Sequence, residues 1–207
     1  YGNGYVNGYL GSDYSGIGLD FDFILIHESA HQWWGNSVTA ANATDEWIHE
    51  AFCTYAEYVY VNCRYGTKIA RDYINAKKRL VKNQAAILGN ADSGIDMYTK
   101  GALMLYTLEQ LIGQGVWQEL LLEFSRNFAY TALDTRQLIQ WFSEKSGRNL
   151  NGFFRQYLER PDIPVLEYQI VRSDSGNESD LIRYRVANAV DGFQLPVGLV
   201  SGQLPAG

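Results

Sequence analysis

Cysteine is scarce in this sequence, and long apolar runs are missing. The only two cysteines, Cys53 and Cys63, are ten residues apart in one expected helix. Ten helical residues rise roughly 15 Å, while a disulfide bridges Cα atoms no more than about 7 Å apart. A disulfide framework is thereby excluded, and both thiols are expected to pack in the core. The most apolar segments, Phe23 to Ile26 and the interrupted Leu111 to Phe124, fall short of the roughly 18–20 residues that cross a bilayer, so no membrane span is expected. Positive charge is also thin. Seventeen Lys and Arg stand against 23 Asp and Glu, a net charge of -6, and the basic residues are scattered rather than clustered, which excludes a nucleic-acid footprint. The chain has no internal repeat and no basic-then-apolar leader. Its opening Tyr-Gly implies that any targeting segment was removed or belongs to a longer parent.

What is present suffices for one well-buried core, since 46% of the 207 residues are hydrophobic. The Gly, Tyr, Asn and Ser of residues 1–20 read as an irregular lead-in. Helical periodicity starts near Asp22 and stops at Gly35, with Phe23, Ile26, Ala30 and Trp33/Trp34 at three- and four-residue steps. A second helix is expected from a cap at Thr44 to about Arg64, and a third over roughly Lys68 to Gln84. After the turn-rich Leu88 to Asp96, a fourth begins at or just past Tyr98. Amphipathic segments around Trp117 to Phe128, Leu138 to Phe142 and Phe153 to Leu158 keep the chain almost wholly helical to residue 160. Arg160 to Pro164 ends this pattern. Val165 to Val171 and Leu181 to Val186 alternate as strands joined by a turn-rich stretch. The expected organisation is a lead-in over 1–20, a helical domain over 21–160 and an incomplete β module over 165–207.

Two of the three histidines stand four apart, in His27-Glu28-Ser29-Ala30-His31. On a helix such residues share a face, so both imidazoles can aim at one metal ion about 2 Å from each. Glu28, about 100° further round, can reach a water at that point without being a ligand, which is the HExxH pattern. After a reversing loop, Gly35 to Ala43, the second helix returns with Glu50 on a face that can close the site. Two His and a Glu with an open fourth position form the ligand set of a catalytic zinc, since structural zinc is usually closed by four protein ligands rich in Cys. The plainer reading, two packed core histidines, is disfavoured by the added Glu50. His49 is the rival ligand, but it points about 100° away from Glu50 on the helix, and Glu50 is preferred. Glu57, seven residues past Glu50, returns to the same face. It can accept the second N–H of one histidine, with a solvated surface glutamate as the alternative.

The chemistry follows from these roles. Zinc acidifies a water and polarises a carbonyl, while Glu28 takes the water proton and returns it to a leaving amine. The oxyanion then needs a further donor. Tyr98 in Met97-Tyr98-Thr99-Lys100 is the candidate, although composition alone offers 15 tyrosines.

HESAHQWWGN from His27, followed by WIHEAF with eighteen residues between His31 and Glu50, resembles the M1 family of zinc aminopeptidases. These are the gluzincins that include aminopeptidase N and leukotriene A4 hydrolase. Tyr98-Thr99-Lys100-Gly101 resembles the family's Tyr-x-Lys-Gly element. The resemblance implies a peptide-hydrolysing enzyme with one zinc held by His27, His31 and Glu50. It makes Glu28 the general base, Tyr98 the transition-state donor and Glu57 an acidic residue supporting a ligand. Covering roughly residues 15–160, it implies a mostly α, thermolysin-like catalytic domain followed by the start of a small β-sandwich.

The family's upstream GAMEN-type motif, whose glutamate holds the substrate's free α-amino group, has no counterpart here, nor has its N-terminal β domain. The expectation is therefore a catalytic-domain fragment that binds zinc but cleaves weakly alone, with the remaining domains of its parent as partners. Without the amine anchor, an endopeptidase or another zinc hydrolase on the same site stays open, an epoxide-opening relative included. So does a non-catalytic, zinc-supported binding module, although retention of Glu28 and Tyr98 disfavours it. The look of the subfamily implies an extracytoplasmic bacterial setting, with a cytoplasmic one as the alternative. Substrate-binding residues are unassigned. Trp33, Trp34 and the tyrosines from Tyr5 to Tyr14 are read as core or loop rather than pocket lining.

Overall fold

In the computed structural model, residues 8, 11–89, 94–171 and 181–197 are described, and helices dominate them. The chain runs α1 (Phe23–Ala30), β1 (Val38–Ala40), a 3-10 turn (Ala43–Asp45), α2 (Trp47–Tyr65), α3 (Thr67–Ala76), a second 3-10 turn (Lys77–Leu80) and α4 (Ile95–Ile112). It continues with α5 (Gln114–Asn127), β2 (Thr131–Leu133), α6 (Thr135–Ser146), α7 (Asn151–Leu158), β3 (Val165–Val171) and β4 (Leu181–Ala187). This is the mostly α architecture expected. Much of the lead-in, part of the turn-rich stretch before α4 and the segment joining β3 to β4 lie outside the described residues.

The helix α1 opens where the Asp22 carboxylate accepts from the Leu25 N–H at 3.1 Å. It stops at Ala30, short of the expected Gly35, because the chain turns over residues 31–33 and enters β1. His31 still caps the helix with helical backbone angles, φ -60 and ψ -16, so its relation to His27 on one face survives. Strand β1 pairs in parallel with β2, Val38 opposite Thr131 through Ala40 opposite Leu133. The expectation of an unbroken helical run misses this pair, because three residues are too few to display an alternating pattern.

At the start of α2, Thr44 is not the cap. Asn42 precedes the 3-10 turn and α2 begins at Trp47. The acidic residue here serves a distant element instead. Buried Asp45 accepts from the backbone N–H of Thr135 at 3.0 Å and from its hydroxyl at 2.6 Å, and from the Asn42 amide at 2.9 Å. Trp47 in turn donates its indole N–H to Thr135 Oγ1 at 2.8 Å. The first turns of α2 and α6 are thus fastened together. Behind them Phe52 stacks against Trp34 and Phe124, and Phe124 and Trp117 both pack on Phe142, an aromatic core around the middle of α2.

Two other boundaries differ from expectation for one shared reason. The third helix ends at Ala76 and tightens into a 3-10 turn rather than running to Gln84, and α4 starts at Ile95 rather than Tyr98. The N–H groups of Lys82 and Asn83 donate to the two oxygens of buried Asp96, at 2.7 and 2.6 Å, instead of extending a helical ladder. That carboxylate pins the start of α4. Strands β3 and β4 pair antiparallel, Val165 opposite Ala187 through Val171 opposite Leu181. Both cysteines are free; Cys53 is buried as expected, whereas Cys63 is exposed on the outer face of α2. No helix among the described residues is long and apolar enough to cross a membrane.

Burial alone would raise the pKa of Asp45, but the bonds from Thr135 and Asn42 outweigh it and hold the carboxyl below its ordinary value. A depressed folded pKa contributes stability above the unfolded pKa and loses it as pH falls through the folded one. Asp45→Asn is therefore expected to destabilise the protein by about 1–3 kcal/mol at neutral pH. In denaturant titrations, the gap from wild type should shrink as the pH drops below about 4.

Candidate active site

Helix α1 presents His27 and His31 toward α2, and each ring is oriented by a bond at its far nitrogen. The His31 Nδ1–H donates to the Trp34 carbonyl at 3.0 Å. A carbonyl only accepts, so the proton sits on Nδ1 and leaves Nε2 available. Likewise His27 Nδ1 donates to the Glu57 carboxylate at 3.0 Å. Both Nε2 atoms then face Glu50, whose Oε2 lies 3.1 Å from that of His27 and 3.7 Å from that of His31. Among the described residues these three form the one cluster able to hold a metal ion, with ligand atoms all within 4.8 Å of one another.

This set fits zinc. Ligands about 2.0–2.2 Å from a tetrahedral zinc stand roughly 3.3–3.6 Å from each other, between the 3.1 and 3.7 Å that separate Glu50 Oε2 from the two histidines. Burial alone would lower the His27 pKa, yet the bonds and charges of Glu50 and Glu57 raise it to about 9. His49 turns elsewhere, accepting the Ala40 N–H on its Nε2 at 2.7 Å. Burial and the neighbouring His31 hold its pKa below the usual value.

Glu57 is 2% exposed, so the solvated alternative does not apply. Its other oxygen accepts from the Tyr73 hydroxyl at 2.7 Å and the Lys77 ammonium at 2.8 Å. Burial would raise its pKa, but Lys77 and His27 hold it below the ordinary carboxylate value. Tyr73 and Lys77 were not identified in the sequence. The only signal available was indirect: a buried glutamate needs a counter-charge, and nothing marked which lysine supplies it.

Glu28, next to His27, is exposed and free to meet a water or substrate. Tyr98 lies in the first turn of α4, its ring 5.9 Å from that of His27. Burial, then the charge of Glu50, pushes its hydroxyl pKa up to about 12, which keeps the proton on the oxygen as a donor. Beside them a cavity of about 250 Å³ is lined by His27, Glu28 and Tyr98 together with Phe23, Ile24 and Ile95. Contrary to expectation Tyr14 also lines this cavity, while exposed Trp33 and half-buried Trp34, just past the end of α1, line a separate apolar cavity of about 410 Å³. Cys53 packs its thiol 3.2 Å from His31 Nδ1. Burial raises the thiol pKa, so the group stays neutral.

With this geometry in view, comparison with known proteins is specific. The Peptidase family M1 domain matches residues 20–157. Aminopeptidase N of Lactococcus lactis subsp. lactis is 28% identical over 72% of this chain and 19% of its own length. Puromycin-sensitive aminopeptidase of Caenorhabditis elegans is 26% identical over 88% of this chain and 22% of its own length. The chain thus spans about a fifth of the length of these curated relatives. Among solved structures, Legionella pneumophila aminopeptidase A superposes with a TM-score of 0.66 at 19% identity, over 80% of this chain and 20% of that one. The M1 zinc metallopeptidase of Deinococcus radiodurans superposes at 0.63 with 23% identity, over 72% and 35%. At these identities the structural likeness speaks for the fold. The family match, spanning most of the chain and all of the cluster, places this chain in peptidase family M1.

Proposed function

We propose that this chain carries the catalytic centre of a zinc aminopeptidase. The observation that carries the reading is the convergence of His27 Nε2, His31 Nε2 and Glu50 Oε2 beside an exposed Glu28 and the Tyr98 ring. Zinc held by those three residues would supply Lewis-acid polarisation of the scissile carbonyl and a water acidified toward a pKa of about 7. Glu28 takes the proton of the attacking water and passes it to the departing amine. The Tyr98 hydroxyl donates to the oxyanion that develops as the carbonyl becomes tetrahedral. Glu57 holds the His27 ring by its Nδ1–H, so that Nε2 faces the reacting centre. Lys77 keeps that buried carboxylate balanced. Activity against the N-terminal residue rather than internal bonds is part of the proposal, supported by the aminopeptidase names of the relatives.

The direct test gives the zinc-loaded full-length protein one peptide with a free and with an acetylated N-terminus, and reads the products by mass. Loss of single residues from the free peptide alone is expected. Internal cleavage of both would replace the aminopeptidase reading with an endopeptidase one. Glu28→Gln should abolish turnover while zinc content stays at one equivalent. Tyr98→Phe should lower kcat by about 10²–10³-fold, or roughly 2.7–4 kcal/mol of barrier. Chelator competition should show Glu57→Gln weakening zinc affinity by about 10–100-fold; unchanged affinity would mean that His27 needs no such support.

A further inference from the structure

Glycine weakens the interior of a helix relative to alanine, so a buried glycine within α4 calls for a reason. Gly101 has one. A Cβ placed on it would lie 2.6 Å from Ala51 Cβ and 3.4 Å from Ala51 Cα, whereas non-bonded carbons settle at roughly 3.5–4.0 Å. At this point α4 touches the fully buried Ala51 of α2 at a separation that only a hydrogen side chain permits. The location matters as much as the closeness. Ala51 follows Glu50 directly, and Tyr98 lies three residues before Gly101, on the same face of α4. This close contact therefore lies one residue past Glu50 on α2 and about one turn past Tyr98 on α4.

The remaining anchors of α4 leave it little slack. Asp96 fastens its first turn to the Lys82 and Asn83 N–H groups. Buried Lys100, on another face, donates to the carbonyls of Arg160 and Pro161 at 2.7 and 3.0 Å. By contrast, a Cβ on Gly115 in α5 would meet nothing within 4 Å.

From this contact we infer that Gly101 is a positioning residue, whose missing side chain sets the spacing of α4 from α2 and so places the Tyr98 hydroxyl at the reacting centre. The inference rests on the function proposed above and adds the packing contact that makes Tyr98 effective.

The test measures kcat and KM of the zinc-loaded full-length protein on an aminoacyl 4-nitroanilide. Gly101→Ala must push the helices apart by roughly 1 Å to reach ordinary contact. A misplacement of that size costs on the order of 10²-fold in rate. A fall in kcat of about 10–100-fold is therefore expected, with KM and zinc stoichiometry close to wild type. Moving the methyl to the other helix, in Ala51→Gly/Gly101→Ala, should restore most of the lost kcat, because the volume at the contact is conserved. In a Tyr98→Phe background, Gly101→Ala should cause almost no further loss, since the two changes act through one hydroxyl. Gly115→Ala is the control and should leave kcat unchanged.

A folded Gly101→Ala with wild-type kcat, or a full additional loss in the Tyr98→Phe background, would overturn the inference. If Gly101→Ala does not fold, the swap decides alone: recovered kcat supports the inference, and a folded but inactive swap overturns it. Should Tyr98→Phe prove silent, the reading of the site itself fails. A Tyr98→Phe loss beside a silent Gly101→Ala would sink only the role of Gly101.

Discussion

One buried carboxylate joins the elements on which the site depends. Glu57, inside α2, accepts from His27 on α1, Tyr73 on α3 and Lys77 at the start of the following 3-10 turn. A carboxylate in that position is expensive to bury unless both oxygens find donors and its charge is met. Here both conditions hold, and the arrangement is correspondingly rigid. Removing one partner would strand a charge away from water, so the geometry of α1 against α2 is fixed by electrostatics as well as by apolar packing. The same bond that satisfies Glu57 orients His27. Structural necessity and site chemistry meet in one hydrogen bond.

Helix α2 has two tasks. Its first turn, held to α6 through Asp45, Thr135 and Trp47, fixes the approach of Glu50 to the histidines. Its next turn offers Ala51 to α4, where the absent side chain of Gly101 lets the two helices meet. Tyr98 belongs to α4, and Asp96 and Lys100 tie that helix to loops remote in sequence. Three separate helices thus bring His27 and His31, Glu50 and Tyr98 to one place. No local segment could do so alone.

How much of this could be read beforehand depends on how local each feature is. His27, Glu28 and His31 declare themselves because a helical repeat places them on one face within five residues, and Glu50 follows from a reversal of suitable length. The mostly α fold was legible in the periodicity of its helices. Tyr98 could be singled out from 15 tyrosines only through its resemblance to a Tyr-x-Lys-Gly element. Lys77 and Tyr73 were invisible, because what selects them is the need of a buried acid on another helix. The parallel pair of β1 and β2 was missed for a similar reason: its three-residue strands are defined by each other and not by their own pattern. Helix ends went astray where side chains captured backbone groups, as Asp96 does with Lys82 and Asn83.

The account stands on His27, His31 and Glu50 acting together as a zinc centre. X-ray absorption at the zinc edge of the loaded full-length protein tests this most directly. The prediction is one zinc per chain with nitrogen and oxygen neighbours at about 2.0–2.2 Å. The scattering signature of two imidazoles should fall to one in His31→Ala. A sulfur neighbour at about 2.3 Å, as Cys53 would supply, or a first shell without imidazole, would contradict the account.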